Sequence, residues 1–300
     1  MKRIIIIGSA NLDLTVRVKF LPRPGETVGG GVLLQANGGK GANQAVAAAR
    51  LGADVMLLTC LGDDTNGRML CGQFEAEGID TTRIKFSSTP TGTALIFVDD
   101  NAENCIAVAP GSNKDLLPED VDGISREIKD ADYLLAQLEI PMATVERAAF
   151  LARQLGVKFI LNPAPMATVS DELLSLVWLI TPNETEAEKL TGISIKSEGS
   201  ALHAARALMA KGIDNVIITL GSKGSLVCTP ERSEIVPARY VKAVDTVGAG
   251  DVYNGALVAA LAEGRDLFEA ARVATAAASI SVTRPGAQTS APYRKEIDII

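Results

Sequence analysis

Short apolar runs of strand length alternate with stretches of helical period along most of the chain. Strands are expected over residues 4–7, 55–60, 133–138, 158–161, 179–181 and 216–220, and helices over 45–51, 67–77, 118–129, 142–155, 184–190, 200–211, 251–263 and 267–283. A strand buried on both faces reads as a continuous apolar run, and alternation with helices implies a doubly wound, mostly parallel α/β sheet covered by helices on both sides. Ligands of such sheets bind beyond the carboxyl ends of the strands. Asn11, Glu139, Asn162, Asn183 and Gly221 each follow an expected strand directly, so they belong on one rim.

Two segments break this rhythm. From Leu12 to Phe20, the apolar residues Leu12, Leu14, Val16, Val18 and Phe20 alternate with Asp13, Thr15, Arg17 and Lys19, the period of a strand with one polar and one apolar face. Strands over 93–98 and 105–109 follow, joined by the polar turn Asp99-Asp100-Asn101-Ala102-Glu103. The expectation is a single domain over 1–300 carrying a small inserted sheet, a lid, from about 12–36 and 91–110. Its polar face, with Asp13, would look toward the site. Its apolar face, joined by Ala94, Ile96 and Val98, would look away and pack against a second copy, because no helix of its own covers it.

Composition removes several function classes. A net charge of −7 with no basic stripe argues against a nucleic-acid partner. No run approaches the roughly eighteen apolar residues of a membrane span. Met1-Lys2-Arg3 ahead of four isoleucines has the outline of a secretory signal, but the run stops at Gly8 and reads as a buried strand. Cys60, Cys71, Cys105 and Cys228 lack paired spacing and read as reduced core residues of a cytoplasmic protein. The single histidine, His203, stands in a helix-period stretch without carboxylate or cysteine neighbours, so the catalytic base is expected to be a carboxylate.

That carboxylate is Asp251. In Asp245-Thr246-Val247-Gly248-Ala249-Gly250-Asp251, three small residues open into a helix. Backbone N–H groups can converge there without side-chain obstruction, and the helix adds the positive end of its dipole. An anion hole beside a carboxylate suits transfer of a phosphoryl group to a hydroxyl. The plainer reading is a turn followed by a helix with an acidic first turn. A second glycine-rich turn, Asn37-Gly38-Gly39-Lys40-Gly41-Ala42-Asn43-Gln44, also runs into a helix and makes an enzyme the better reading. Neither turn is a Walker A loop, since Gly39-Lys40 is followed by Gly41 and Leu34 holds the first glycine position; the dinucleotide pattern Gly-x-Gly-x-x-Gly is likewise absent.

Asn11 and Asp13 share a face of an extended segment and can bond adjacent hydroxyls, or else form an Asx turn. Asn183 and Glu186, three apart at a helix start, present an amide and a carboxylate together, which serves a capped helix as well as a site. Thr219-Leu220-Gly221-Ser222-Lys223-Gly224 is a glycine turn after a strand, a weak signal by itself.

With Gly8-Ser9-Ala10-Asn11-Leu12-Asp13, Pro24-Gly25-Glu26-Thr27, Gln137-Leu138-Glu139, Asn162-Pro163-Ala164-Pro165 and Thr181-Pro182-Asn183-Glu184-Thr185-Glu186, these segments resemble the ribokinase or PfkB family of carbohydrate kinases over nearly the whole chain. The resemblance implies ATP-dependent phosphorylation of D-ribose at the 5-hydroxyl, with Asp251 as base and the N–H groups of Gly248, Ala249 and Gly250 as anion hole. It assigns the sugar to Asn11, Asp13, Gly39, Lys40, Gly41, Asn43, Glu139 and Asp251. It assigns ATP to Asn183, Thr219, Gly221, Ser222, Lys223, Gly224 and Gly250, with Thr275 at the adenine. Mg²⁺ is implied near Asn183 and Glu186 through water. An activating K⁺ is implied near Asp245, Val247, Ser281, Arg284, Gly286 and Ser290, and a homodimer through the lids. The alternatives are another sugar or nucleoside kinase of the group, one for deoxyribose for example, and a catalytically silent sugar-binding relative.

Overall fold

Four consecutive isoleucines make Arg3–Ile7 a strand buried on both faces, each isoleucine with 0% exposure. Ile4 and Ile6 pack into the core beneath one sheet face, with helices Lys40–Arg50, Ala249–Ala262 and Leu267–Ser281. Ile5 and Ile7 pack into the core beneath the other, with Met142–Leu155 and Glu198–Met209. Burial of one such side chain contributes about 1.5–3 kcal/mol, which fixes this strand's register against both layers. The computed structural model describes residues 2–101 and 103–297; Met1, Ala102 of the expected 99–103 turn, and 298–300 lie outside the described residues.

The main sheet has eight strands in the order Ser233–Val236, Ser225–Cys228, Asn215–Thr219, Leu179–Ile180, Lys158–Leu161, Tyr133–Ala136, Arg3–Ile7 and Asp54–Leu58. Six run parallel, and the hairpin 225–236 adds two antiparallel strands at one edge. This is the expected doubly wound α/β architecture. A separate four-stranded sheet has the order Val32–Gly38, Asn11–Arg17, Gly92–Val98 and Asn104–Ala109, and Cys60–Gly62 pairs with Lys85–Ser87 in a third.

Several expectations need correction. The alternating segment leaves the small sheet at Arg17, so Val18 and Phe20 are not part of its face. Register overturns the expected partners of that face: Leu14 and Val16 lie beside Leu95 and Phe97, whereas Ala94, Ile96 and Val98 lie beside Asp13, Thr15 and Arg17. The offset between strands is set by pairing and not by the period of either strand alone. Residues 118–129 form two short helices, Pro118–Asp122 and Ser125–Lys129, broken at Gly123 and Ile124. All four cysteines are free, but only Cys60 and Cys228 are core; Cys105 is exposed on the outer strand Asn104–Ala109 and Cys71 is half-buried. His203 is exposed on its helix.

Candidate active site

Helices Lys40–Arg50 and Ala249–Ala262 build the site by lying side by side. Their contact depends on Gly255, where a β-carbon would stand 2.4 Å from the Gln44 carbonyl and 2.6 Å from the Ala47 methyl. This close approach places the first turn of one helix against that of the other. Asp251, 6% exposed, accepts hydrogen bonds from Asn43 Nδ2 at 2.9 Å and Gln44 Nε2 at 3.0 Å. Burial raises its pKa against the opposing pull of Lys40 and these two amides, so the carboxyl is a stronger proton acceptor than an exposed aspartate.

Each helix begins at a glycine with positive φ, Gly39 at 86° and Gly248 at 74°. At Gly39 a β-carbon would meet Ala10 Cα at 2.6 Å, so only glycine lets the turn nest against the end of the first strand. The Lys40 N–H donates to Glu139 Oε2 at 3.0 Å, and Ser9 Oγ donates to the same oxygen. At the other helix, the Ala249 N–H reaches the Thr246 carbonyl at 3.3 Å and the Val252 N–H the Gly248 carbonyl at 2.9 Å. Among the described residues no side chain caps it, and the N–H groups of Gly250 and Asp251 remain available to an anion.

Around the Gly39 turn stands a polar cup. Asn11 Oδ1 accepts from Asn113 Nδ2 at 2.7 Å, and Asn113 Oδ1 accepts from the Ala10 N–H at 2.9 Å. Asp13 has its pKa raised to about 6 by burial and by the charges of Glu139 and Asp251, with Lys40 opposing. Lys40 stands 4.0 Å from Glu139; burial pulls its ammonium down, but Asp251, Glu139, Glu186 and Asp13 outweigh that and hold it above its ordinary value. One cation thus balances several carboxylates.

Beyond Asp251 lies a cavity of about 520 Å³. Of the residues assigned to ATP, Asn183, Thr219, Gly221, Ser222, Gly224, Gly250 and Thr275 line it and Lys223 does not. Residues 238–241 and Ser279 also line it and carried no recognised sequence signal; Thr246 and Tyr253, from the 245–256 segment, line it too. Asn183 and Glu186 form a reciprocal cap: Asn183 N–H donates to Glu186 Oε2 at 2.9 Å, and Glu186 N–H to Asn183 Oδ1 at 2.8 Å. Glu186 Oε1 takes no part in this pair. Asp245 folds against the loop after the last long helix, accepting from the Gly286 N–H at 2.8 Å and the Val247 N–H at 3.0 Å. Ser281 and Ser290 turn their hydroxyls onto the Ala278 and Ala287 carbonyls, and Arg284 pairs with Glu296.

A helix start with open N–H groups, a buried carboxylate, a polar cup and a cavity of about 520 Å³, all on the carboxyl edge of a doubly wound sheet, make up the site of a small-molecule kinase fold. Residues 1–294 match the model of the pfkB family carbohydrate kinases, and the chain belongs to that family. It is 48% identical over 296 residues to a ribokinase of Haemophilus influenzae, covering 98% of this chain and 97% of that one. It is 39% identical to a deoxyribokinase of Salmonella typhi, covering 96% and 95%. The structure of Arabidopsis thaliana ribokinase complexed with ribose and ATP superposes with a TM-score of 0.94 at 31% identity, covering 99% of this chain and 98% of that one.

Proposed function

We propose that this protein transfers the γ-phosphoryl group of ATP to the 5-hydroxyl of D-ribose, giving ribose 5-phosphate. The carrying observation is the position of Asp251, buried at the junction of the Gly39 cup and the 520 Å³ cavity, one residue from an unoccupied backbone donor. Asn11, Asp13, Gly39, Lys40, Gly41, Asn43 and Glu139 hold the sugar. Asp251 takes the proton of the attacking hydroxyl, and the Gly248–Asp251 turn receives the migrating charge, with Gly250 and Asp251 as its free donors. Asn183, Thr219, Gly221, Ser222, Gly224 and Thr275 bind the nucleotide.

Mg²⁺ fits this arrangement as a companion of ATP. No cluster of three or more ligating side chains is found among the described residues, and Mg²⁺ keeps most of its waters when substrate phosphates share the coordination. Glu186 and Asn183 would hold it through water, and it would neutralise the phosphate oxygens. K⁺ would sit near Asp245, whose carboxylate already gathers the 282–290 loop, with backbone carbonyls supplying the remaining oxygens. ATP as donor and four free thiols support a cytoplasmic location. A homodimer through the small sheet is supported by the exposed Leu33, Leu34, Leu95, Ile106 and Val108, an apolar patch on both of its faces.

ADP release measured across D-ribose, 2-deoxyribose, fructose and adenosine tests the reading. A cup built of hydrogen-bonding groups rejects a sugar lacking one hydroxyl because its own groups are left unpaired, so ribose should lead in kcat/KM. Preference for any of the other three would remove the ribose assignment.

A further inference from the structure

Behind Asp251 lies a chain of buried amides that the reaction itself does not use. Gln137 Nε2 donates to Gln44 Oε1 at 2.6 Å. Gln44 Nε2 then donates to both Asp251 Oδ1 and Asn162 Oδ1, each at 3.0 Å. Asn162 Nδ2 donates to the Thr181 carbonyl at 3.2 Å, the Thr181 hydroxyl to Asn254 Oδ1 at 2.6 Å, and Asn254 Nδ2 to the Gly250 carbonyl at 2.9 Å. Gln44 and Gln137 are 0% exposed, Thr181 1%, Asn254 2% and Asn162 7%. The chain therefore begins behind one edge of the Asp251 carboxylate and returns to the backbone of the turn that carries it.

A glutamine can present either its oxygen or its nitrogen to a neighbour, and the two choices have opposite effects on a carboxylate. Here the choice is imposed. Asn162 commits its Nδ2 to the Thr181 carbonyl and so offers Oδ1 to Gln44, and the Gln44 nitrogen must face both that oxygen and Asp251, leaving the Gln44 oxygen to Gln137 Nε2. A fixed donor orients the carboxylate and favours its ionised form inside a site that otherwise disfavours charge.

We propose that Gln44 is a positioning residue for Asp251, that Asn162 sets the direction of its amide while Gln137 holds its oxygen, and that the Asn162–Thr181–Asn254 arm keeps the Gly250 turn in register with it. Asp251 then keeps one oxygen on Gln44 and one on Asn43, with its remaining lone pairs directed at the substrate hydroxyl. The charged groups that also act on Asp251 are Lys40, Glu139, Asp13 and Glu186, and none of them belongs to the amide chain. The proposal rests on Asp251 being the base.

The test is the pH profile of kcat with saturating ribose and ATP for the wild type, Gln44→Met, Gln137→Met and Asp251→Asn. Gln44→Met keeps the length of the side chain but removes the donor. Its acid limb should move up by about one pH unit, giving a loss on the order of tenfold near that limb that recovers at alkaline pH, with the ATP KM unchanged. Gln137→Met leaves Gln44 in place but its oxygen unpaired and its amide less firmly held, so its limb should move the same way by less. A loss uniform across pH, or an unmoved limb in both glutamine variants, would overturn the positioning role. Asp251→Asn separates this from failure of the underlying reading: near wild-type kcat there would remove Asp251 as the base, and the positioning role with it.

Discussion

Helices Lys40–Arg50 and Ala249–Ala262 begin alike, at a glycine of positive φ followed by small residues, yet their ends do opposite things. The Lys40 end is closed by the protein itself, since Glu139 takes the first N–H and the Ser9 carbonyl takes that of Ala42 at 2.9 Å. Among the described residues the Gly248 end has no carboxylate of this kind and leaves donors open at the mouth of the 520 Å³ cavity. A helix start is thus not a phosphate site by virtue of its glycines; what decides is whether the fold has already supplied an anion. Glu139 closes the first end, and under the proposed reading that end serves a neutral sugar while the open second end serves charge.

Removing the base should have the largest effect on this contrast. Asp251→Asn keeps the contacts to Asn43 within reach but cannot take a proton, so kcat should fall roughly 10²–10⁴-fold while nucleotide affinity, read by calorimetry, persists. A variant keeping more than about a tenth of wild-type kcat would reduce Asp251 to a first-turn acid with no chemical role. Gly39→Ala and Gly248→Ala should then divide the two ends by kinetic parameter. Both introduce a side chain at positive φ, and both meet a neighbour, Ala10 Cα at 2.6 Å or the Ala287 methyl at 2.7 Å, so each should lose roughly 1–3 kcal/mol in denaturant unfolding. Gly39→Ala should chiefly raise the ribose KM and Gly248→Ala chiefly lower kcat; identical kinetic patterns would erase the distinction.

Smaller effects follow from charge and capping. Asp13, with its pKa raised to about 6, binds its proton more tightly in the folded state, so its ionised form opposes folding above that pH. Stability from this group returns as pH falls through 6 toward the ordinary 3.8, while the ribose KM should climb over the same range because the protonated carboxyl loses an acceptor. Asp13→Asn should flatten both slopes; unaltered slopes would place the titration elsewhere. Asn183→Ala removes one half of the reciprocal cap and should cost about 1 kcal/mol in thermal unfolding with a modest rise in ATP KM. A rise in ATP KM without loss of stability would make Asn183 a ligand contact rather than a cap.

The parts of this molecule written in local pattern were readable from the chain. Ile4 to Ile7 announced a strand buried on both faces, and the Gly248–Asp251 and Gly39–Asn43 turns announced the two helix ends. Strand Val32–Gly38 gave no alternating signal, because Val32, Leu33 and Leu34 are all exposed on a sheet whose two faces are both partly apolar. Strands Ser225–Cys228 and Ser233–Val236 are four residues each and depend on pairing with Asn215–Thr219 rather than on their own period. The amides behind Asp251 were illegible for a different reason. Gln44 meets Gln137, Asn162 and Asp251 across separations of 93, 118 and 207 residues, and nothing local marks any of them as a partner. Glu139 was legible as a polar residue after a strand, but not as the acid that closes the Lys40 helix.

The contrast between the two helix ends is most directly tested by a crystal structure with D-ribose and a non-hydrolysable ATP analogue bound together. The account predicts the terminal phosphate against the Gly250 N–H, with the ribose 5-hydroxyl within hydrogen-bond reach of Asp251 and the rest of the sugar over Gly39 and Asp13. A phosphate seated at the Gly39–Lys40 turn, or a 5-hydroxyl directed away from Asp251, would contradict it.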